Sequence, residues 1–204
     1  MIHFLFRQGT VFKKTLFAFL GLIASSSVYA HPGHSHHSTG MLDSFWAGLV
    51  HPITGFDHLI MLLAVGFIAM QYKPQAQQKH FMVMAVICMV AGMGLGAATG
   101  FVTGIELLII ASIFIAALAV YQKQVKTAKV STLISSAAVL LVLFHGWAHG
   151  LEASGVSLAV FASGMALAAT AIILCGYRLA LYISPKWQSA LLATSGTVLL
   201  LLAS

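Results

Sequence analysis

Residues 130–151 read VSTLISSAAVLLVLFHGWAHGL, and this stretch contains no Asp, Glu, Lys or Arg. A helix needs about 20 apolar residues to cross the hydrocarbon core of a bilayer. Residues 81–105 and 153–177 are equally free of these charged side chains. Because none of the three runs alternates apolar and polar residues, they indicate membrane-spanning helices rather than the strands of a barrel.

The composition of the whole chain also indicates a membrane protein. Of its 204 residues, 60% are hydrophobic and 7% are charged, whereas soluble domains carry about 25% charged residues. The acidic residues are Asp43, Asp57, Glu106 and Glu152, too few to cover a globule in water. These values exclude a soluble enzyme and a disordered protein. The formal net charge is +6, but the basic residues are not clustered on a polar face, so we expect no nucleic-acid partner.

The start of the chain has the features of a secretory signal peptide. Basic residues and a short apolar run are followed by small side chains that suit cleavage after Ala30. A retained anchor helix is the alternative, but the run is short for a membrane span. We therefore expect residues 1–30 to be removed. Residues 31–44 would form a His-rich segment outside the membrane, and residues 45–204 would form a membrane domain.

We predict six spanning helices in this domain, which makes the chain an all-α integral membrane protein. The predicted spans are residues 45–70, 81–101, 104–121, 131–150, 155–177 and 187–203. Every basic residue after Ala30 falls in one of three alternate connections between these spans. Since connections rich in Lys and Arg stay on the inner side, we expect both ends of the mature chain on the outer side.

The first predicted span contains HPITGFDH, from His51 to His58. The two histidines are about two helical turns apart and would share one face of a helix, and Asp57 lies beside the second. An ionised Asp in hydrocarbon costs several kcal/mol, so Asp57 must pair with a cation or face a wet cavity. Pro52 and Gly55 can loosen the helix between the two histidines.

The fourth predicted span ends with FHGWAHGLE, from Phe144 to Glu152. His145 and His149 are one helical turn apart, and Glu152 continues the same stripe. Two imidazoles one turn apart are a common chelate for a divalent metal. The glycine after each histidine leaves room for the close approach of another helix.

These two segments predict a metal site between the first and fourth predicted spans. Its expected ligands are His51, Asp57, His58, His145, His149 and Glu152, with Glu106 nearby at the outer start of the third span. A network of purely structural hydrogen bonds is the alternative.

A second metal-binding feature is the histidine tract in residues 31–37. It consists of His31, His34, His36 and His37. A His-rich tract outside the membrane favours metal capture, and the alternative is an incidental polar tail. We expect the tract to gather ions loosely at the outer face.

HPITGFDH and FHGWAHGLE, together with the signal peptide and the His-rich start, resemble the HupE/UreJ family of nickel and cobalt permeases. The resemblance covers essentially the whole chain. It implies uptake of Ni²⁺, or of Co²⁺, across the bacterial inner membrane for hydrogenase or urease maturation. Both termini would then be periplasmic. The metal would be cargo rather than a prosthetic group, and the protein would not be an enzyme. The sequence is compatible with an oligomer.

Two other classes of function stay open at this point. Clusters of His and Asp in membrane helices also build zinc sites with an activated water, so an intramembrane metal-dependent hydrolase is one alternative. A metal-binding or sensor protein without flux is the other. Nickel uptake and lipid hydrolysis, measured on the same protein, would distinguish these classes from a permease.

Overall fold

The computed structural model describes residues 40–123, 127–152 and 157–203, without the side chain of Glu152. Within these residues the chain forms seven helices and no strand, so the predicted all-α class is confirmed for them. In chain order the helices are α1 (Met41–Thr54), α2 (Phe56–Met70), α3 (Gln75–Thr99), α4 (Ile105–Gln122), α5 (Ala128–Glu152), α6 (Leu158–Leu179) and α7 (Pro185–Leu202). The predicted signal peptide, residues 1–30, lies outside the described residues.

Four of these helices, α3 to α6, are individually long and apolar enough to cross a membrane. Helices α1 and α2 pass the same test together as a bent pair, which gives up to five candidate spans. Helix α7 is not among them, because Lys186 and Gln188 make its first turn polar. The chain is therefore a multi-pass membrane protein, and a span at residues 187–203 stays a prediction.

The predicted first span, residues 45–70, is two helices rather than one. Helix α1 ends at Thr54, α2 begins at Phe56, and the two are bent by 77°. Gly55 lies between them in extended backbone conformation (φ −79°, ψ 108°), and its N–H donates to the His51 carbonyl at 3.0 Å. Glycine is among the poorest helix formers, so the weak point expected at Gly55 is a complete break of the helix.

Helix α2 is the central helix of the fold and contacts all six other helices. Ten of its 15 residues are buried. A helix that is apolar on all sides is typical of a fully surrounded position. This position places the polar first turn of α2, which contains Asp57 and His58, among the neighbouring helices.

Helices α3 and α5 pack against each other along glycines. A Cβ atom at Gly92 would overlap the carbonyl oxygen of Leu143, and one at Gly146 would overlap that of Met89. In both helices, the glycine one turn further on approaches the opposite backbone in the same way. Such close contacts are common between membrane helices. They restrict the rotation of α5 and therefore the direction of the histidine that precedes each of its contact glycines.

Candidate metal centre

Asp57 and His58 lie in the first turn of α2, directly after the bend. Oδ1 of Asp57 is 2.8 Å from Nδ1 of His58. A carboxylate that accepts the N–H of an imidazole orients the ring and selects its tautomer. The start of a helix also favours a negative charge because of the helix dipole. The local structure thus supports an ionised Asp57 beside His58.

Helix α5 brings two more imidazoles to His58. Nε2 of His149 lies 2.5 Å from Nε2 of His58, and the ring centroids of His145 and His58 are 5.0 Å apart. All three histidines are buried, with exposed fractions of 5% for His58, 2% for His145 and 3% for His149. The two segments that the sequence singled out therefore meet, although His58 and His145 are 87 residues apart.

The fourth imidazole comes from α1. The ring centroid of His51 is 4.1 Å from that of His149 and 5.8 Å from that of His58. The sequence predicted that His51 and His58 would share one face of the same helix, about two turns apart. In the structure they belong to different helices, and the bend at Gly55 lets both contact the same ring of α5.

Asp57, His58 and His145 form a group that could hold a metal ion. Each offers one ligand atom, and these atoms lie within 4.8 Å of one another. Imidazole nitrogen suits zinc, copper, iron and nickel, and a carboxylate adds a negative charge that offsets part of the charge of the ion. His149 adjoins this group through His58, and His51 adjoins His149.

Ser112 of α4 also contacts the cluster, although the sequence did not point to it. Its Oγ is 2.9 Å from Nε2 of His145, and the residue is fully buried. The signal that could have found it is weak. Ser112 is the single hydroxyl residue between Glu106 and Tyr121 in an otherwise apolar helix.

The other predicted ligands are either exposed or outside the described part of the chain. Glu106 is in the first turn of α4 with an exposed side chain. Glu152 is the last residue of α5, and its side chain is outside the described part of the chain. The histidine tract is also outside it, namely His31, His34, His36 and His37. The roles expected for these residues stay predictions.

The fold and the site together define a class of protein. Ionisable side chains are rare within membrane segments, and they generally mark the pathways of ions or polar substrates. Here four imidazoles and a carboxylate gather between apolar helices. The chain is therefore a multi-pass membrane protein with an internal cluster of metal-ligand side chains.

Comparison with known proteins narrows this class. The family described as "HupE / UreJ protein" matches residues 18–204. "Protein HupE" of Rhizobium leguminosarum bv. viciae is 32% identical over 167 residues, which cover 79% of this chain and 80% of the relative. The chain thus belongs to the HupE/UreJ family, and the family resemblance predicted from the sequence is confirmed. No solved structure matches the chain.

Proposed function

We propose that the chain is a permease that carries Ni²⁺, or Co²⁺, across the bacterial inner membrane. The observation that supports this function best is the convergence of Asp57, His58 and His145, whose ligand atoms lie within 4.8 Å of one another. Nitrogen and oxygen ligands suit Ni²⁺ and Co²⁺, although affinity alone would favour Cu²⁺. Selectivity must then come from the geometry of the site or from the supply of ions.

The order of the rings suggests a route for the ion. His51 is half-buried, and its ring centroid is 4.1 Å from that of His149. The ring centroids of His149 and His58 are 4.3 Å apart, and those of His58 and His145 are 5.0 Å apart. An ion passed along these rings would stay coordinated while it loses water. Binding at each step has to be weak enough for release to the next ligand.

Residues at the outer side would supply ions to this route. In the proposal, the histidine tract of residues 31–37 raises the local ion concentration. Glu106 and Glu152 add negative charge near the outer ends of α4 and α5. The tract would matter most when the metal is scarce, because a loose collector of ions is dispensable when ions are abundant.

The proposed topology has six spans, with α1 and α2 together as the first and α7 as the last. Residues 1–30 are removed as a signal peptide, and both termini of the mature chain are periplasmic. The family resemblance links the imported metal to hydrogenase or urease maturation. In this proposal the metal is cargo and the protein is not an enzyme.

The driving force can come from the membrane itself. The 204 residues contain no nucleotide-binding loop of the GxxxxGK[ST] type. An inside-negative potential favours the inward movement of a dication by about 4.6 kcal/mol per 100 mV, twice the value for a single charge. Passive, potential-driven and proton-coupled transport are all compatible with this sequence.

Uptake into proteoliposomes tests the proposal directly. The purified full-length protein is reconstituted, an inside-negative potential is imposed, and uptake of radioactive Ni²⁺ is measured with Co²⁺, Cu²⁺ or Zn²⁺ as competitor. We expect saturable uptake that Co²⁺ inhibits. Hydrolysis of the vesicle lipids without uptake would instead indicate a metal-dependent hydrolase. Binding without uptake would indicate a sensor.

A further inference from the structure

The hydrogen bonds of Ser112 determine the direction of the contact with His145. Oγ of Ser112 lies 2.6 Å from the carbonyl oxygen of Ile109 in the same helix and 2.9 Å from Nε2 of His145. A carbonyl oxygen can only accept, and a serine hydroxyl has one hydrogen to donate. Two oxygens 2.6 Å apart without a hydrogen between them would repel each other. The hydroxyl hydrogen therefore points to Ile109.

It follows that His145 is the donor in its contact with Ser112. With the hydroxyl hydrogen committed to Ile109, Oγ offers His145 only lone pairs, so Nε2 of His145 must carry a hydrogen. In a neutral imidazole one nitrogen is protonated and the other has the lone pair. That lone pair is then on Nδ1. Nδ1 of His145 is buried and has no hydrogen-bond partner among the described residues.

We propose that Ser112 is a positioning residue of the metal site, which holds His145 as the Nε2-protonated tautomer and so presents Nδ1 to the ion. This role rests on the permease function proposed above. It deepens that function by adding a side chain of α4 to a site whose predicted ligands come from the HPITGFDH and FHGWAHGLE segments. Metal-binding histidines usually donate their second N–H to a carboxylate, a carbonyl or a water. Here a serine hydroxyl takes that place.

The two central histidines are thus oriented by different partners and through opposite nitrogens. Asp57 approaches Nδ1 of His58 at 2.8 Å, whereas Ser112 approaches Nε2 of His145. A hydroxyl brings no charge. Among the described side chains of the cluster, Asp57 is then the single carboxylate, which limits the attraction of these side chains for a dication and favours release.

The tautomer of His145 can be measured without any metal. Full-length protein with ¹⁵N-labelled histidine is placed in nanodiscs, and the His145 signals are assigned by comparison with His145→Gln. We expect a hydrogen on Nε2 in the wild type and a mixture of tautomers in Ser112→Ala. Ser112→Thr should restore the wild-type tautomer, because a threonine hydroxyl makes the same bond to the preceding turn.

Nickel binding to the same samples tests the consequence. Ser112→Ala should raise the Kd for Ni²⁺ by about 10- to 100-fold, as loss of an orienting partner does at other metal sites. Ser112→Cys, which is close in size but a weak acceptor, should fall between Ser112→Ala and the wild type. Ser195→Ala is the matched control. Ser195 is also buried and also donates to its own helix, at the Leu191 carbonyl 2.9 Å away, so its loss should change neither Kd nor tautomer.

The outcomes separate this inference from the permease function. A wild-type protein that neither binds nor transports nickel contradicts the proposed function, whatever its tautomer. A protein that binds nickel but carries the hydrogen of His145 on Nδ1 contradicts the role of Ser112 alone. Unchanged nickel affinity in a folded Ser112→Ala protein, with thermal unfolding as the check of folding, contradicts that role as well.

Discussion

The two histidine-bearing segments reach the same place by different structural means. In the HPITGFDH segment the helix breaks at Gly55, and His51 and His58 lie on separate helices bent by 77°. In the FHGWAHGLE segment the helix is continuous, so that His145 and His149 follow one another by one turn of α5. The first segment depends on a local change of backbone, and the second depends on regular helical spacing.

Different interactions hold the two halves of the candidate site, namely the histidines of α5 and the side chains of α1 and α2. The α5 half is held by backbone contact with α3 at the glycines and by the hydrogen bond of His145 to Ser112. The α1–α2 half is held by the conformation of Gly55 and by the contact between Asp57 and His58. Substitutions that affect α5 should therefore disturb the packing of the helices, whereas substitutions at the bend should disturb the orientation of the ligand side chains.

The largest effect is expected at the first turn of α2. His58→Ala removes the ring that contacts both His149 and His145, and Asp57→Asn removes the charge. Each change should lower nickel uptake by about 100-fold or more, the upper end of the effect of losing only an orienting partner.

The control for these two variants is His80→Ala, which removes an exposed histidine of α3. It should transport normally, and immunoblots should find all three proteins in the membrane. Normal uptake by His58→Ala or Asp57→Asn would show that the side chains beside the bend take no part in transport.

The next effect concerns the packing of α5. In Gly92→Ala the new methyl group would overlap the carbonyl oxygen of Leu143, which forces α3 and α5 apart. Overpacking of this kind costs about 1–3 kcal/mol. We expect a lower thermal unfolding temperature in detergent, together with reduced uptake.

Gly94→Ala is the matched change in the same helix, since a Cβ there meets nothing within 4 Å. Its unfolding temperature should equal or exceed that of the wild type, because alanine is the better helix former. Equal destabilisation by both changes would show that the glycine contacts are not what holds α5.

A smaller effect is expected at the bend itself. In Gly55→Ala the new Cβ would lie 3.0 Å from Nδ1 of His58 and 3.4 Å from Oδ1 of Asp57. The backbone of Gly55 is accessible to alanine, so the fold should survive. The His58 ring has to shift by a few tenths of an ångström. We expect a higher nickel concentration for half-maximal uptake with little change in the unfolding temperature, whereas Gly92→Ala should lower the unfolding temperature as well.

The smallest effect is expected outside both segments. Deletion of residues 31–37 leaves the internal cluster intact, so uptake should fall only when nickel is scarce. The measurement is the initial rate of uptake across a range of nickel concentrations. An equal loss at saturating nickel would show that the tract takes part in the internal route.

The sequence by itself determined the class of the fold and most members of the candidate metal centre. Long charge-free runs leave helices as the structure that can satisfy the backbone in lipid, and six of the seven helices lie within or closely overlap the predicted spans 45–70 to 155–177. Ionisable residues are so unfavourable in such runs that Asp57 and the histidines stood out as candidate functional residues. Regular helical spacing then placed His145 and His149 on one stripe.

The tertiary structure decided what depends on contacts between distant segments. A glycine and a proline indicate a weak point in a helix but not its angle, so only packing against the other helices set the bend at Gly55. Ser112 and His145 are 33 residues apart in the chain and meet because α4 packs beside α5. In the sequence alone, Ser112 looks like any small residue of an apolar helix. The tautomer of that histidine follows from the contact, because the serine has one hydrogen and donates it to its own helix.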